Sequence, residues 1–395
     1  MCVAALAALA MAYVVVLVTA DGADVVSGRL GGDYASFHAA GAIAGDDLGL
    51  DAERFYDPDL QAATQRPNLA DDAGQLYFAY PVFFVAPYVG LAQLGFTASY
   101  VLHTVLMMGA LIAALGLIRP CNRIARDFPL ETFTVALLFF PMFRGVTGGQ
   151  NTALTTLLVC GLWRALHDGR DRLAGALAAL LLFKPPFALP FLGVLVLARR
   201  WGAVAASMGA TVVLYGAGAA LTDPGWPEVW VDAIRFLDEV DTPFNVQNFV
   251  SVPGAAEAIF GVDSTAAFAV GYLLAGLIAL AVAACWLRSG DVVPLDVRIA
   301  VTTVGAVLIS PHALYYDAGL LVIAGLVVLE RRPSLSPWVA GLWLAGFGHA
   351  LADPLGVSPV AAVVVAGGLL VALTVPPFDR RVGRSSPPVH DARST

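Results

Sequence analysis

The chain reads as an all-α polytopic membrane protein of the kind with about 12 transmembrane helices and outer-face juxtamembrane helices, and three observations predict this. Of its 395 residues, 58% are hydrophobic and 13% charged, against roughly 25% charged in an ordinary soluble domain. Apolar runs recur from Cys2 to Pro376, so the length is taken up by repeated crossings sharing one intramembrane core. The basic residues then sort to one side of those crossings. The expected organisation is a single transmembrane domain over residues 1–376, with an outer loop at 21–96 and a second outer loop at 222–263. A disordered cytoplasmic tail follows at 377–395.

The first apolar run, Cys2 to Ala20, lacks a basic leader region and is followed by many more, which makes it a span rather than a signal peptide. Residues 21–80 form a polar loop with eleven acids and three arginines. Tyr80 to Gly95 is apolar but short and carries Pro81 and Pro87, which suits a juxtamembrane or re-entrant helix better than a crossing. Counting it as non-spanning, the later helices run over 97–118, 132–143, 152–166, 173–183, 187–198, 202–221, 264–287, 298–309, 313–329, 336–350 and 357–376. Several are far shorter than the ~20 residues that cross hydrocarbon upright. Stops beside Pro141, Pro185 and Pro311 open a cavity toward the outer leaflet, since broken backbone at that depth must line a wet or protein-enclosed space. The tail, with Arg380, Arg381, Arg384 and a Ser/Pro-rich end, has the composition of a disordered segment.

On this count sixteen of the 22 basic residues share the side of the N-terminus, and six (Arg29, Arg54, Arg66, Arg144, Lys184 and Arg235) lie opposite. The positive-inside bias then places both termini in the cytoplasm of a multi-pass plasma (cell) membrane protein whose active site faces outward.

The polar residues of the broken helices gather on that outer face. Asp33 lies about a dozen residues beyond the first span, near the headgroups yet wet enough to ionise, which suits a general base for a lipid-borne substrate. Read locally, it is one loop acid among eleven. Lys184 is the only lysine in the chain, and an intramembrane cation needs a partner; an anionic ligand such as a phosphate fits, with snorkelling to the headgroups as the alternative. Gln150 and Asn151 follow two glycines at a helix start and suit either a sugar or phosphate or plain capping. His312, beside Pro311, suits a phosphate oxygen, a proton shuttle or a structural role, and Asp317 is a possible partner for it or for Lys184. Asn245, Gln247 and Asn248 sit on the second outer loop, and Trp226 and Trp230 suit sugar stacking or interfacial anchoring.

The four cysteines form no disulfide framework, and no metal spacing, phosphate loop or dinucleotide fingerprint is present. No metal, cofactor or nucleic acid is therefore expected. Without a nucleotide-binding domain, a transferase with outward-facing polar groups takes its sugar from a lipid carrier.

The motifs resemble glycosyltransferase family 87, the polyprenyl-phosphate-mannose-dependent mannosyltransferase-like branch of the GT-C superfamily. The resemblance rests on Gly32-Asp33-Tyr34, Phe55-Tyr56-Asp57, Tyr80-Pro81-Val-Phe, Gly149-Gln150-Asn151, Phe183-Lys184-Pro185, Gln247-Asn248-Phe-Val-Ser251 and Ser310-Pro311-His312. Two departures are Val82, where a second proline is usual, and the reversed order of Gln247 and Asn248. The resemblance implies a GT-C fold and an inverting transfer of a sugar, mannose first, from a polyprenyl-phosphate donor to a glycolipid or glycan acceptor. Asp33 occupies the place of the family's catalytic base; taken with the chemistry of the residues themselves, Lys184 and His312 are expected to bind the donor phosphate, and Tyr34, Gln150, Asn151, Gln247 and Asn248 to bind substrate. The alternatives are an arabinosyltransferase or a lipid or glycan transporter, although the inverted repeats common in transporters are not evident.

Overall fold

The computed structural model describes residues 2–19, 32–46, 49–69, 76–288, 292–349 and 359–376. Among them the chain is helical throughout, and the sole β-type pairing is an isolated antiparallel bridge between Phe249 and Leu314. Residues 21–31 of the first outer loop and the 377–395 tail lie outside the described residues.

The N-terminal part comprises α1 (Cys2–Thr19), then α2 (Tyr34–Asp46), α3 (Ala52–Phe55) and α4 (Pro58–Gln65). The apolar stretch after Tyr80 is a 3-10 turn (Val82–Val85) running into the short α5 (Ala86–Ala92), the interrupted geometry its two prolines impose. Next come α6 (Phe96–Ile118), α7 (Arg123–Asp127), α8 (Pro129–Leu138) and α9 (Phe140–Thr147). The helix expected over 132–143 is in fact two, bent by 78°. Phe139 is extended there, and Pro141 lacks the N–H that would continue the ladder.

The middle of the chain forms α10 (Thr152–His167), α11 (Asp171–Leu180), α12 (Pro185–Leu197) and α13 (Trp201–Leu221). The segment expected as the second outer loop contains two helices, α14 (Trp226–Asn245) and α15 (Val252–Phe260). The helices α16 (Thr265–Leu287), α17 (Leu295–Ile309), α18 (Leu321–Arg331), α19 (Ser336–Ala345) and α20 (Pro359–Ala372) complete the described chain.

By length and composition, α6, α13 and α16 qualify as membrane crossings among the described residues, and the bent α8–α9 pair adds a fourth if it is one broken span rather than a re-entrant loop. The remaining apolar helices are shorter, so these criteria do not reach the twelve crossings expected. The surface is apolar as well as the core: Met208, Val212 and Val213 on α13, with Phe268, Leu273 and Leu280 on α16, are about two-thirds exposed. In lipid such side chains need no cover. Small residues bring backbones together instead; a Cβ on Gly175 of α11 would lie 1.9 Å from the Ala203 carbonyl oxygen of α13.

The ends of the helices differ chemically. At one end charges pair across elements, Arg200 with Asp171 at 2.9 Å and Arg331 with both Asp296 oxygens at 2.7 Å, and Arg164 pairs with Asp168 at the end of its own helix at 2.7 Å. At the other end the half-length helices stop together. Lys184 and Ser310, each the residue before a proline, are extended, as the proline ring requires of its predecessor. These breaks, together with the start of α10 after Gln150, gather polar groups at this end of the bundle, and Gln150 is the one that contacts Asp33.

Candidate active site

Asp33 closes the turn that leads into α2, where its backbone carbonyl accepts a hydrogen bond from Ser36 Oγ at 2.9 Å. Its carboxylate is half-buried and accepts a hydrogen bond from Gln150 Nε2 at 2.7 Å. Gln150 reaches it because Gly149 takes φ +83° and passes against Tyr34, where any Cβ would sit 2.6 Å from the tyrosine Cβ. Only glycine fits both demands. Desolvation pushes the Asp33 carboxyl above the ordinary aspartate range, opposed by the Gln150 hydrogen bond and by the positive charges of Arg144 and Lys184. The group is thus a carboxylate whose basicity is raised, the property a general base requires.

On the far side of Gln150, its Oε1 accepts from the Tyr80 hydroxyl at 3.1 Å. Asn151 is fully buried and accepts from Tyr88 at 2.8 Å, and its side chain makes no helix cap. Lys184 finds its partner within the chain: its ammonium is 2.7 Å from Asp317 Oδ1, and both residues are buried. Asp317 Oδ2 also accepts from the Leu314 backbone N–H at 3.2 Å, which holds the turn after His312. His312 stands 3.8 Å from a carboxylate oxygen of Asp238 and of Asp241, both on α14, with the Phe249 ring 4.5 Å away.

Tyr34 points away from its neighbour Asp33. It is fully buried, hydrogen-bonded to Ser99 at 2.6 Å and packed 4.8 Å from the His103 ring, so it belongs to the core beneath Asp33 rather than to a substrate surface. Trp226 is likewise buried, with its indole N–H donating to the Tyr215 carbonyl at 3.2 Å. Gln247 and Asn248 are half-buried in a turn after α14, and Asn248 donates to Asn245 at 3.2 Å.

Sequence reasoning gave no role to Asp238 or Asp241, took Tyr80 only as part of a motif, and held Arg144 only as a reserve cation on the outer side. Arg144 lies on α9, beyond the 78° bend, with its Nε 3.5 Å from the Tyr315 hydroxyl. The Tyr315 ring stacks 4.0 Å from His349, and Phe140 lies 6.2 Å from Tyr315. Its position after an apolar run ending in a proline was the available signal. The pairing of α14 acids with His312 had none, because these residues lie some seventy positions apart.

The described residues thus define an apolar-surfaced helical protein with a base-competent carboxylate at one end of its bundle. Residues 78–311 match the family model described as Glycosyltransferase family 87. The chain belongs to glycosyltransferase family 87, and it is a glycosyltransferase. No curated protein and no solved structure matches it.

Proposed function

We propose that this glycosyltransferase moves a sugar, mannose first, from a polyprenyl-phosphate donor to a glycolipid or glycan acceptor at the outer face of the plasma membrane. The observation that carries the reading is Asp33 itself: a half-buried carboxylate with raised basicity, at the end of the bundle away from the arginine belt. Asp33 removes the acceptor hydroxyl proton as that oxygen attacks the anomeric carbon. The bond to the donor phosphate breaks, the phosphate leaves with its electron pair, and the configuration inverts.

Lys184 and His312 both face carboxylates, so a phosphate at either would meet anionic neighbours. Arg144 is the cation we assign to the leaving phosphate, on its nearness alone: it is half-buried and its charge reaches Asp33. A lipid donor is further supported by an apolar groove of about 310 Å³ between α8, α18, α19 and α20. It includes Val135, Phe139, Leu326, Trp343 and Leu370, and Phe139 ends it at the bend that leads to Arg144.

The direct test is a membrane assay with labelled polyprenyl-phosphate mannose and a lipid extract as acceptor. Label should pass to a lipid or glycan product; a release of label only as free sugar would sink the transferase reading for that donor. The groove has its own test. Gly325 lines it with no heavy atom closer than 3.8 Å to an added Cβ, so Gly325→Phe should fill it. The KM for a long-chain donor should rise about tenfold, equivalent to ~55 Å² of lost apolar burial, while a short-chain donor is unaffected. Equal effects on both donors would remove the groove from the donor site.

Sidedness follows the arginine belt, with both termini cytoplasmic and all the shorter apolar helices counted as crossings or re-entrant pairs. Cysteine placed at the exposed Glu239 of α14 should react with an impermeant maleimide in intact cells. Cysteine at the exposed Ser334 should react only after permeabilisation, on a background lacking the partly exposed Cys2 and Cys121. The opposite pattern would invert the protein in the membrane.

A further inference from the structure

The contacts of Gln150 separate two roles that the sequence left together. A carboxylate can only accept hydrogen bonds, so the amide NH2 of Gln150 must face Asp33 and its carbonyl oxygen must face Tyr80. Tyr80 is then the donor of the 3.1 Å hydrogen bond, and the glutamine is fixed at both ends. The residue is 6% exposed, and Gly149, with no room for a Cβ, holds its backbone in place. Tyr80 is itself held among rings, with Phe37 at 5.0 Å, Phe84 at 5.3 Å and Phe183 stacked at 6.3 Å. The Lys184 ammonium, anchored by Asp317, lies 5.9 Å from its centroid. A chain of fixed contacts thus runs from the core ion pair to the base.

Asp33 Oδ1, in contrast, has no hydrogen-bond partner among the described residues. We infer that Gln150 and Tyr80 are positioning residues for the base: they hold Asp33 Oδ2 and turn Oδ1 toward the acceptor hydroxyl, and Gln150 is not a ligand of the sugar. This inference rests on the reading of Asp33 as the base. In the transfer step the acceptor O–H bond breaks and Oδ1 gains the proton. The acceptor oxygen uses the freed electron pair to bond the anomeric carbon, and the phosphate departs with the electrons of the broken bond. Gln150 and Tyr80 exchange no proton. Their effect is to fix the orientation of the carboxylate and to favour its charged form, because a hydrogen bond donated to a carboxylate stabilises that form.

The sign of the effect separates positioning from substrate binding. Removing the Gln150 donor raises the pKa of Asp33, so the base stays protonated to a higher pH. In Gln150→Met, which keeps the length of the side chain, the acid limb of the kcat/KM profile should move up by about one to two pH units. The acceptor KM should not change. Tyr80→Phe removes only the hydroxyl that holds Gln150 and should move the limb the same way by less. Gln150→Glu keeps the shape but sets a like charge beside Asp33, and should move it furthest.

All three variants are compared with wild type and with Asp33→Asn in the same labelled-donor assay. An unmoved acid limb with a raised acceptor or donor KM in Gln150→Met and Tyr80→Phe would overturn the inference and make Gln150 a substrate ligand. Wild-type turnover in Asp33→Asn would instead overturn the base reading itself. An inactive Asp33→Asn with an unmoved limb in the other variants would sink the positioning inference alone. Should Gln150→Met fail to fold, Tyr80→Phe and Gln150→Glu carry the same decision.

Discussion

With Asp33 replaced by asparagine, the purified protein is expected to keep its fold and lose transfer by a factor of at least ~10²–10⁴, the usual contribution of a positioned general base. The fold survives because an asparagine carbonyl can still accept the hydrogen bond that Gln150 donates at 2.7 Å, and the turn into α2 is fixed separately by Ser36. What is lost is the ability to take a proton. The pH dependence follows from the direction of the Asp33 shift. Burial raises its pKa above the ordinary aspartate value, and the reactive form is the carboxylate. Activity should therefore fall as pH drops through that raised pKa, giving an acid limb above pH ~4, where an unperturbed aspartate would titrate. The asparagine variant should show no such limb in any residual rate. Asp33→Glu retains the charge but moves it by one methylene, and should recover a small part of the rate. Full activity in purified Asp33→Asn would place the base elsewhere.

How much of this was visible beforehand depended on whether the signal was local. Helix ends were legible where a proline forces its predecessor out of the helix, as at Lys184 and Ser310, and the long apolar helices α6, α13 and α16 fell within one residue of expectation. A break beside Pro141 was also legible, but its place at Phe139 and the second helix beyond it were not, because apolar residues continue through the bend. The acidic amphipathic helix α14 was read as loop for the opposite reason, since its polarity breaks the membrane pattern while its helical period is intact.

At the site, the gathering of Asp33, Gln150 and Lys184 at one end was readable from the alternation of short spans, but their pairing was not. Hydrogen-bond partners such as Asp33 and Gln150, more than a hundred residues apart, carry no spacing rule. Tyr34 shows the cost of proximity in sequence. It follows Asp33 directly, yet the start of α2 turns its side chain inward to Ser99. The family match over residues 78–311 does not reach this segment, so it gave no information on how the two side chains differ.

The ion pair of Lys184 with Asp317 leads to the second large expected effect, on stability rather than chemistry. Both groups are at most 9% exposed and 2.7 Å apart, and Asp317 also holds the backbone of Leu314. A cation without a partner in this position would be relieved by its removal; a paired one leaves a buried carboxylate behind. Lys184→Met is therefore expected to destabilise the protein by about 3–5 kcal/mol, the usual result of breaking one side of a buried pair. The measurement is thermal unfolding in detergent. Replacing both partners, as in Lys184→Met with Asp317→Leu, should recover most of that loss, because two well-packed apolar side chains need no counter-charge. The Leu314 N–H would still lose its acceptor, so recovery stops short of completion by about 1–3 kcal/mol. Donor affinity of the folded single variant, measured at low temperature, separates the two roles. Near-normal affinity with a lowered melting point makes Lys184 an internal anchor for Tyr80 and the His312 turn. A stable Lys184→Met protein that binds the polyprenyl-phosphate donor tenfold more weakly would instead return the lysine to the phosphate and leave Asp317 as its resting partner.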